Sequence, residues 1–487
     1  MIAGVSRLFS RIAHLFTRRA EPEPRVLPVS LDPREFAPVP EGGYLVGGAV
    51  RDALLGRPQA DLDWLVAQPE RAASLAARLL DGAHFALDEA RGHWRVVAGD
   101  VVRDYIRFDS SLEDDLRSRD YTVNALAMDT TGRIVDVTGG LADLSSLTLR
   151  MVSSAALRSD PLRLLRAARL SAQHGLRIEP GTQEAIRTLA AAQLDGRVPT
   201  PAFERVRVEL DQLMMTDQPA GAVGLLDDLG LLDVYLPELT MGRGVEQGGF
   251  HHLDVMQHQI EALGALIRLF PDADLGLRYA TLLHDVGKPD TAEADEEGGR
   301  VRFYGHDRLG AEMATGVMRR LRQPTMRRER VAGLVRRHML PLPATEKSTR
   351  RFIHRYRELL PDLLKLMIAD REAARGRLAS EAARRKYREA LGRVIEMMNE
   401  APEPAAKPLL DGTELMELLE LAPGPRVGEA ARYLAELQAV GDADTEEEAV
   451  RHLRRYAAAQ GWISSGDGAS GAGQDPQEPE DDEPEPS

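Results

Sequence analysis

The chain has 487 residues, no cysteine and a formal net charge of -15, with 43% hydrophobic and 29% charged residues. Such a length predicts about three domains with sizeable cores, and the composition is that of a soluble globular protein. The lack of cysteine excludes a disulfide framework, zinc fingers and thiol catalysis, and it suits a reducing cytoplasm, the expected location. The acidic balance does not exclude a nucleic-acid partner. About half of it sits in Ser464 to Ser487, which carries no Lys or Arg, while arginines cluster elsewhere.

Met1 to Ala20 places Val5, Leu8, Phe9, Ile12, Leu15 and Phe16 at helical spacing with arginines between them. It is too interrupted to span a bilayer, so no stable membrane insertion is expected. A membrane-surface or partner-binding helix fits the pattern, but a leader or a helix packed on its own protein fits it better. Pro-rich Glu21 to Glu41 reads as a linker.

From Gly42 to about Leu144, short β-like runs alternate with helical ones. The runs are Tyr44–Val46, Leu62–Val66, His93–Val97, Val101–Phe108 and Ile134–Val137. A Gly47-Gly48 turn follows the first run and leads into a helix-like piece bearing Arg51 and Asp52. Asp61 and Asp63 are two apart on a strand and point to the same side. Paired carboxylates hold hard cations, and a glycine pair lets backbone N–H groups approach phosphate. Singly these features are a plain turn and a solvated edge; in this order they suit a Mg-nucleotide site. Asp104, on a neighbouring strand, is either a third carboxylate for that site or a partner of Arg103 and Arg107. Farther on, Arg119 can reach phosphates or ribose, or pair with Asp120, and Asn124 can fix its loop.

After Leu144 the pattern becomes helical. Asp160, Arg163, Arg166 and Arg169 recur every three residues along one helix side, beside a stripe of Leu162, Leu165 and Ala168. Arginine donors and aspartate acceptors match a base's Watson–Crick edge, although a salt-bridged solvated face has the same pattern. In Phe203 to Met214, the residues Glu204, Arg205 and Glu209 read as scaffold for that neighbour.

With these blocks in place, the chain resembles the bacterial class II tRNA nucleotidyltransferases and poly(A) polymerases of the polymerase-β-like superfamily. The matching stretches are GGAVRDALLG with DLD (Gly47 to Asp63), LEDDL and RDYTVNALA (Leu112 to Ala127), DPLRLLRAAR (Asp160 to Arg169) and ERVRVEL (Glu204 to Leu210). The resemblance implies that Asp61 and Asp63 bind two catalytic Mg²⁺ ions, and Asp104 is the candidate third catalytic carboxylate from the neighbouring strand. It implies nucleotide contacts, to CTP or ATP, at Gly48, Arg51, Arg119, Arg163 and Arg166, and base selection by Asp160 with Arg163. The chain departs from the family in having Ser159 before Asp160 and Ser118 before Arg119. A third departure is the short connection Tyr105 to Ser111, where full CCA-adding members carry a longer flexible loop. The short connection resembles members that add only C residues.

A second constellation runs through His258, His284-Asp285, His306, His338 and Asp370. Imidazole and carboxylate ligands on successive helices can hold one or two divalent transition metals that activate water against phosphate. The order resembles the HD-superfamily phosphohydrolases, which implies Mn²⁺, Ni²⁺ or Fe²⁺ at a two-metal site. His84, His174 and His354 read as bland, and His251 and His252 as structural or exposed. Arg319 to Arg337 and Arg350 to Arg357 fit tRNA phosphate-tracking surfaces and solvated helix faces equally.

The expected fold is α+β: an N-terminal α/β nucleotidyltransferase head with a small mixed sheet, then an all-α neck, an HD domain and a helical tail. The expected boundaries are 1–41 leader and linker, 42–144 head, 145–240 neck, 241–375 HD domain, 376–463 helical region and 464–487 disordered acidic tail. The expected activity is template-independent addition of C and/or A to tRNA 3′ ends, with an attached phosphohydrolase. Its alternatives are an HD phosphohydrolase whose head serves RNA binding, and a poly(A) polymerase.

Overall fold

The structure, a computed structural model, describes residues 26–59, 61–108, 111–247, 253–294, 301–374, 381–400 and 408–463. The expected N-terminal helix, His251, His252 and the acidic tail lie outside the described residues. The chain divides into two compact units, Met1–Met339 with Asp362–Ala379, and Leu340–Pro361 with Ser380–Ser487.

In the first unit the head is a seven-stranded sheet of β1 (Tyr44–Val46), β2 (Asp61–Val66), β3 (Ala83–Asp88), β4 (His93–Ala98), β5 (Val101–Arg107), β6 (Leu126–Met128) and β7 (Ile134–Asp136). The strand order is β3-β4-β5-β2-β1-β6-β7. β2 and β5 run parallel and the other neighbours antiparallel, so the sheet is mixed, as expected. Two strands escape the sequence pattern. β3 is exposed along nearly its whole length and has no buried alternation. β6 is a three-residue buried run inside RDYTVNALA, and it is extended because Leu45 and Val46 of β1 pair with it. A short helix α1 (Gly48–Leu54) follows β1, and α2 (Pro69–Leu79) packs Ala73, Ala76 and Ala77 against the sheet.

Part of the expected linker is instead bound to the head. Ser30 bridges Arg133 beside β7, and a 3-10 turn at Pro33–Phe36 buries Phe36 completely. Arg103 donates to the carbonyls of Phe36, Ala37 and Pro38 at 3.0, 2.5 and 3.2 Å. Prolines remove backbone donors but leave carbonyls, and a buried guanidinium collects them. Local composition carries no sign of that distant partner.

Helix α3 (Leu112–Ser118) ends the approach to Arg119, and α4 (Leu162–His174) opens the neck. Leu162, Leu165 and Ala168 are buried as the stripe predicts. Asp160 precedes the helix rather than lying on it: its backbone is extended (φ -142°, ψ 95°). Pro161 disfavours a helical residue before it, so the three-residue repeat begins with a loop carboxylate. Helix α5 (Phe203–Met214) packs on α4. Helices α6 (Val255–Leu269), α7 (Leu275–Leu283), α8 (His306–Arg320), α9 (Thr325–Arg337) and α10 (Asp362–Ala373) form the bundle that follows.

The second unit contains the helix Glu346–Tyr356 together with the helices of residues 381–459. Leu415, Leu419, Leu434, Leu437 and Leu453 fill its core. Arg351 and Arg355 pair with Glu436 at 3.1 and 2.8 Å, and Lys347 with Asp442 at 2.7 Å. Much of this basic helix therefore meets carboxylates of its own unit.

His174, at the end of α4, ties the neck to the head. Arg57 Nη1 lies 2.9 Å from its Nδ1 and donates to the Gln173 carbonyl at 2.7 Å. Burial, then the charges of Arg51, Arg57 and Arg169, push the imidazole down to about 2. An unfolded histidine takes a proton below about 6.5 while this one does not. The stability from His174 is therefore present above that pH and is lost as pH falls. Between pH 7 and pH 5 the loss is about 2 kcal/mol from this group alone. Urea unfolding followed by tryptophan fluorescence should show a pH dependence smaller by that amount in His174→Gln. Equal pH dependence in both proteins would contradict the assignment.

Candidate active sites

In the head, Asp61 and Asp63 stand on one side of β2, with Asp63 opposite Val46 of β1 and Asp104 of β5. Asp61 is exposed and Asp63 partly buried. Burial, then the Asp104 charge, raises the Asp63 carboxyl above its usual range, with Arg119 opposing. A carboxylate so placed gains from a cation.

The turn beside it is dictated by backbone geometry. Gly47 has φ +76° and ψ -134°, and a Cβ there would stand 2.8 Å from Arg119 Nη1. Only glycine combines that conformation with that approach. The turn leads directly into the first residues of α1, Gly48 included.

The arginines expected to contact nucleotide divide into two groups. Arg51 is buried, donating to Asn124 Oδ1 at 2.5 Å and paired with Asp52 at 2.9 Å. Asn124 donates in turn to Asp120 at 3.0 Å, and Asp120 takes Arg166 at 3.0 Å. Arg166 also meets Glu209, which holds Arg169 at 2.6 Å. Glu209 thus supports the neighbouring helix as expected, Arg205 holds Asp160 in the loop before it, and Glu204 pairs with Arg322. Arg119, Asp160 and Arg163 lie outside this network and, like Arg166, are partly buried. Arg119 pairs with Asp115 rather than Asp120. Arg163 donates to the Ser118 and Ala156 carbonyls, both at 2.9 Å, and Asp160 pairs with Arg205 at 2.7 Å. The two side chains thus rest on other groups, while the Arg163 backbone N–H donates to the Asp160 carbonyl at 3.0 Å.

The second constellation closes into one cluster, buried except for Asp370, which is partly exposed. His258 comes from α6, His284 and Asp285 follow α7, His306 starts α8, His338 follows α9 and Asp370 lies on α10. His258 Nε2 is 2.9 Å from Asp370 Oδ1, and His284 Nε2 is 3.2 Å from Asp285 Oδ2. His306 and His338 each place Nε2 3.5 Å from Asp285 Oδ1, and their Nε2 atoms are 3.3 Å apart. Asp285 is thus shared by two ligand groups, His258/His284/Asp285 and Asp285/His306/His338, each with its ligand atoms within 4.8 Å.

The tautomers follow from the backbone. Nδ1 of His284, His306 and His338 lies 2.8, 2.7 and 2.7 Å from the carbonyls of Thr281, Phe303 and Val335. A carbonyl only accepts, so each Nδ1 carries the proton when the ring is neutral and Nε2 is the lone pair turned inward. His284 Nε2 and both Asp285 oxygens are buried without a well-aligned hydrogen bond. Buried polar atoms left this way are donors that divalent transition metals prefer, and the residues of the two groups would hold such ions. Against burial, the charges of Asp285 and Asp370 raise the His284 imidazole, while His284 and Lys288 hold the Asp285 carboxyl well below its usual range. Lys288, which ends the Val-Gly-Lys run after His284-Asp285, sits 2.7 Å from Asp285 Oδ2 and donates to Gln247 at 2.7 Å. Its signal was available: it lies three residues after Asp285. Gln247 carried none.

A nucleotidyltransferase-type head joined to an HD-type histidine and aspartate bundle is the class these sites define. Comparison with known proteins agrees. Residues 43–102 and 90–150 match the family model described as poly A polymerase head domain. Residues 175–242 match the probable RNA and SrmB-binding site of polymerase A, and 255–375 the HD domain. The chain is 52% identical to the A-adding tRNA nucleotidyltransferase of Deinococcus radiodurans, over 86% of this chain and 96% of that one. It is 45% identical to the CC-adding tRNA nucleotidyltransferase of Thermus thermophilus, over 84% and 92%. In fold it is similar to the Bacillus stearothermophilus CCA-adding enzyme solved with CTP (TM-score 0.58, 22% identity, 86% and 94% covered). The chain belongs to the tRNA nucleotidyltransferase and poly(A) polymerase family and carries an HD domain.

Titrating chelator-treated protein with Ni²⁺ should raise its unfolding temperature. At a hundredfold excess over Kd the stabilisation is about 2.7 kcal/mol. Asp285→Asn should remove most of that shift, because both ligand groups use Asp285. A shift that survives the substitution would place the ion elsewhere.

Proposed function

We propose that this chain is a template-independent nucleotidyltransferase that adds the terminal A to tRNA ending in CC, working from the head. The observation that carries the chemistry is the Asp61/Asp63 pair on one side of β2, beside the Gly47 turn. The greater identity to the A-adding relative favours A as the nucleotide. A second reading, addition of CC, keeps one observation in its favour: the short connection from β5 to Ser111, the N-cap of α3.

In this reading Asp61 and Asp63 hold Mg²⁺, with Gly48 and the turn's backbone N–H groups toward the phosphates. Held by these carboxylates, the ion would supply activation of the primer 3′-OH and charge to offset the triphosphate. Arg119, between the turn and Asp63, exchanges Asp115 for a phosphate or ribose oxygen. Asp160 and Arg163 present acceptor and donor groups to the base, with Arg205 and the two carbonyls fixing their directions. Arg51 and Arg166, both engaged by carboxylates, serve the nucleotide chiefly by holding the turn and α4 in place. The His258/His284/Asp285/His306/His338/Asp370 cluster is a second site, which takes Mn²⁺, Ni²⁺ or Fe²⁺ and hydrolyses phosphoesters. Among the described residues no helix is long and apolar enough to cross a membrane. A cytoplasmic enzyme acting on tRNA is consistent with this and with the absence of cysteine.

Purified protein given CTP or ATP with tRNA lacking CCA, tRNA ending in CC and complete tRNA separates the readings. One A on the CC-ended tRNA alone is expected. Two C residues on the shorter tRNA would establish the second reading, and no incorporation on any of them would refute both. Asp63→Asn should abolish addition and spare phosphohydrolysis, and Asp285→Asn should do the reverse. Loss of both activities in one folded variant would show that the sites are not independent.

A further inference from the structure

The unassigned feature of the head is what surrounds Asp104. Register places Arg95, Asp104 and Asp63 in one row across β4, β5 and β2, on the same side of the sheet. Arg95 donates to Asp104 through both arms, Nε to Oδ1 at 2.7 Å and Nη2 to Oδ2 at 2.8 Å. His93, two residues earlier on β4, brings Nε2 to 3.2 Å from Oδ2. Both oxygens of Asp104 are therefore engaged, in the strongest geometry a carboxylate has with a side chain. By contrast, among the described residues no ion pair engages Asp61 or Asp63. The three carboxylates stand together, but one already has its cation.

We propose that Arg95 is a positioning residue of the head's metal site. By holding both oxygens of Asp104 it removes that carboxylate from the ligand set and leaves the cation to Asp61 and Asp63. This rests on the nucleotidyl-transfer reading above. A site of three open carboxylates would bind a divalent ion tightly without nucleotide. A site of two, with a guanidinium beside it, binds the ion weakly until a triphosphate supplies further oxygens. Arg95 thus makes ion binding depend on nucleotide arrival. It also assigns Asp104 a role that its proximity to Asp63 does not reveal.

The test is Mn²⁺ binding to the full-length chain, followed by electron paramagnetic resonance without nucleotide, in an Asp285→Asn background that disables the second site. The head site is the one lost with Asp63→Asn. Arg95→Met should tighten Mn²⁺ at that site by about tenfold or more. Asp104→Asn alone should leave it within about twofold, and adding Asp104→Asn to Arg95→Met should return it to the starting value. Arg95→Lys, which keeps the charge, should stay near the parent and carries the comparison if Arg95→Met does not fold. A tenfold loss with Asp104→Asn alone, or an unchanged affinity in Arg95→Met, overturns the proposal. If Asp63→Asn removes no Mn²⁺ site, the failure belongs to the nucleotidyl-transfer reading instead.

Discussion

Asp120 is a carboxylate with 4% of its surface exposed, and the head and neck depend on its being satisfied. It accepts from the Tyr121 N–H, from Asn124 and from Arg166, and these bonds overcome burial to keep it ionised. Removing one partner of such a pair strands a buried charge, which costs about 3–5 kcal/mol. The chain of contacts runs from Asp52 through Arg51, Asn124, Asp120, Arg166 and Glu209 to Arg169. One end is the helix after the Gly47 turn and the other is the neck. The helix after the Gly47 turn and the neck helices α4 and α5 are thus held together by a polar network as well as by apolar packing.

The second site uses a different device. Its histidines and aspartates lie on or at the ends of five helices, and three of the histidines are oriented by carbonyls three residues back in the chain. Local backbone therefore sets each imidazole, while the packing of the bundle sets the distances between them. Asp285 is the point where both ligand groups meet, which makes it the most constrained residue of the cluster. The two sites share no residue although they lie in one compact unit.

The many arginines serve the protein before they serve a ligand. Arg320 holds Glu238, Arg330 holds Asp274 and Asp362, and Arg327 reaches Gln323 and Asp211. Such pairs order adjoining helices in a chain whose net charge is negative. Within Arg319 to Arg337, these three arginines are engaged by groups of the protein itself.

The sequence by itself determined the chemistry. Asp61 and Asp63 on one strand side, the Gly47-Gly48 turn, and the ordered histidines and aspartates follow from two local periodicities and a few obligatory residue types. It also determined the mixed head followed by helices. The tertiary structure decided what distance along the chain conceals. Asp104 belongs to Arg95 rather than to Arg103 or Arg107, because antiparallel register sets Arg95 opposite it on the same side of the sheet. Arg103 turns instead to the carbonyls of a stretch that reads as linker. Asp160 leaves the helix because of Pro161, and Glu346–Tyr356 joins the C-terminal helices rather than the bundle around the histidines. Residue type and spacing specify which groups can react. Which cation each carboxylate keeps is decided only when strands and helices from distant parts of the chain come together.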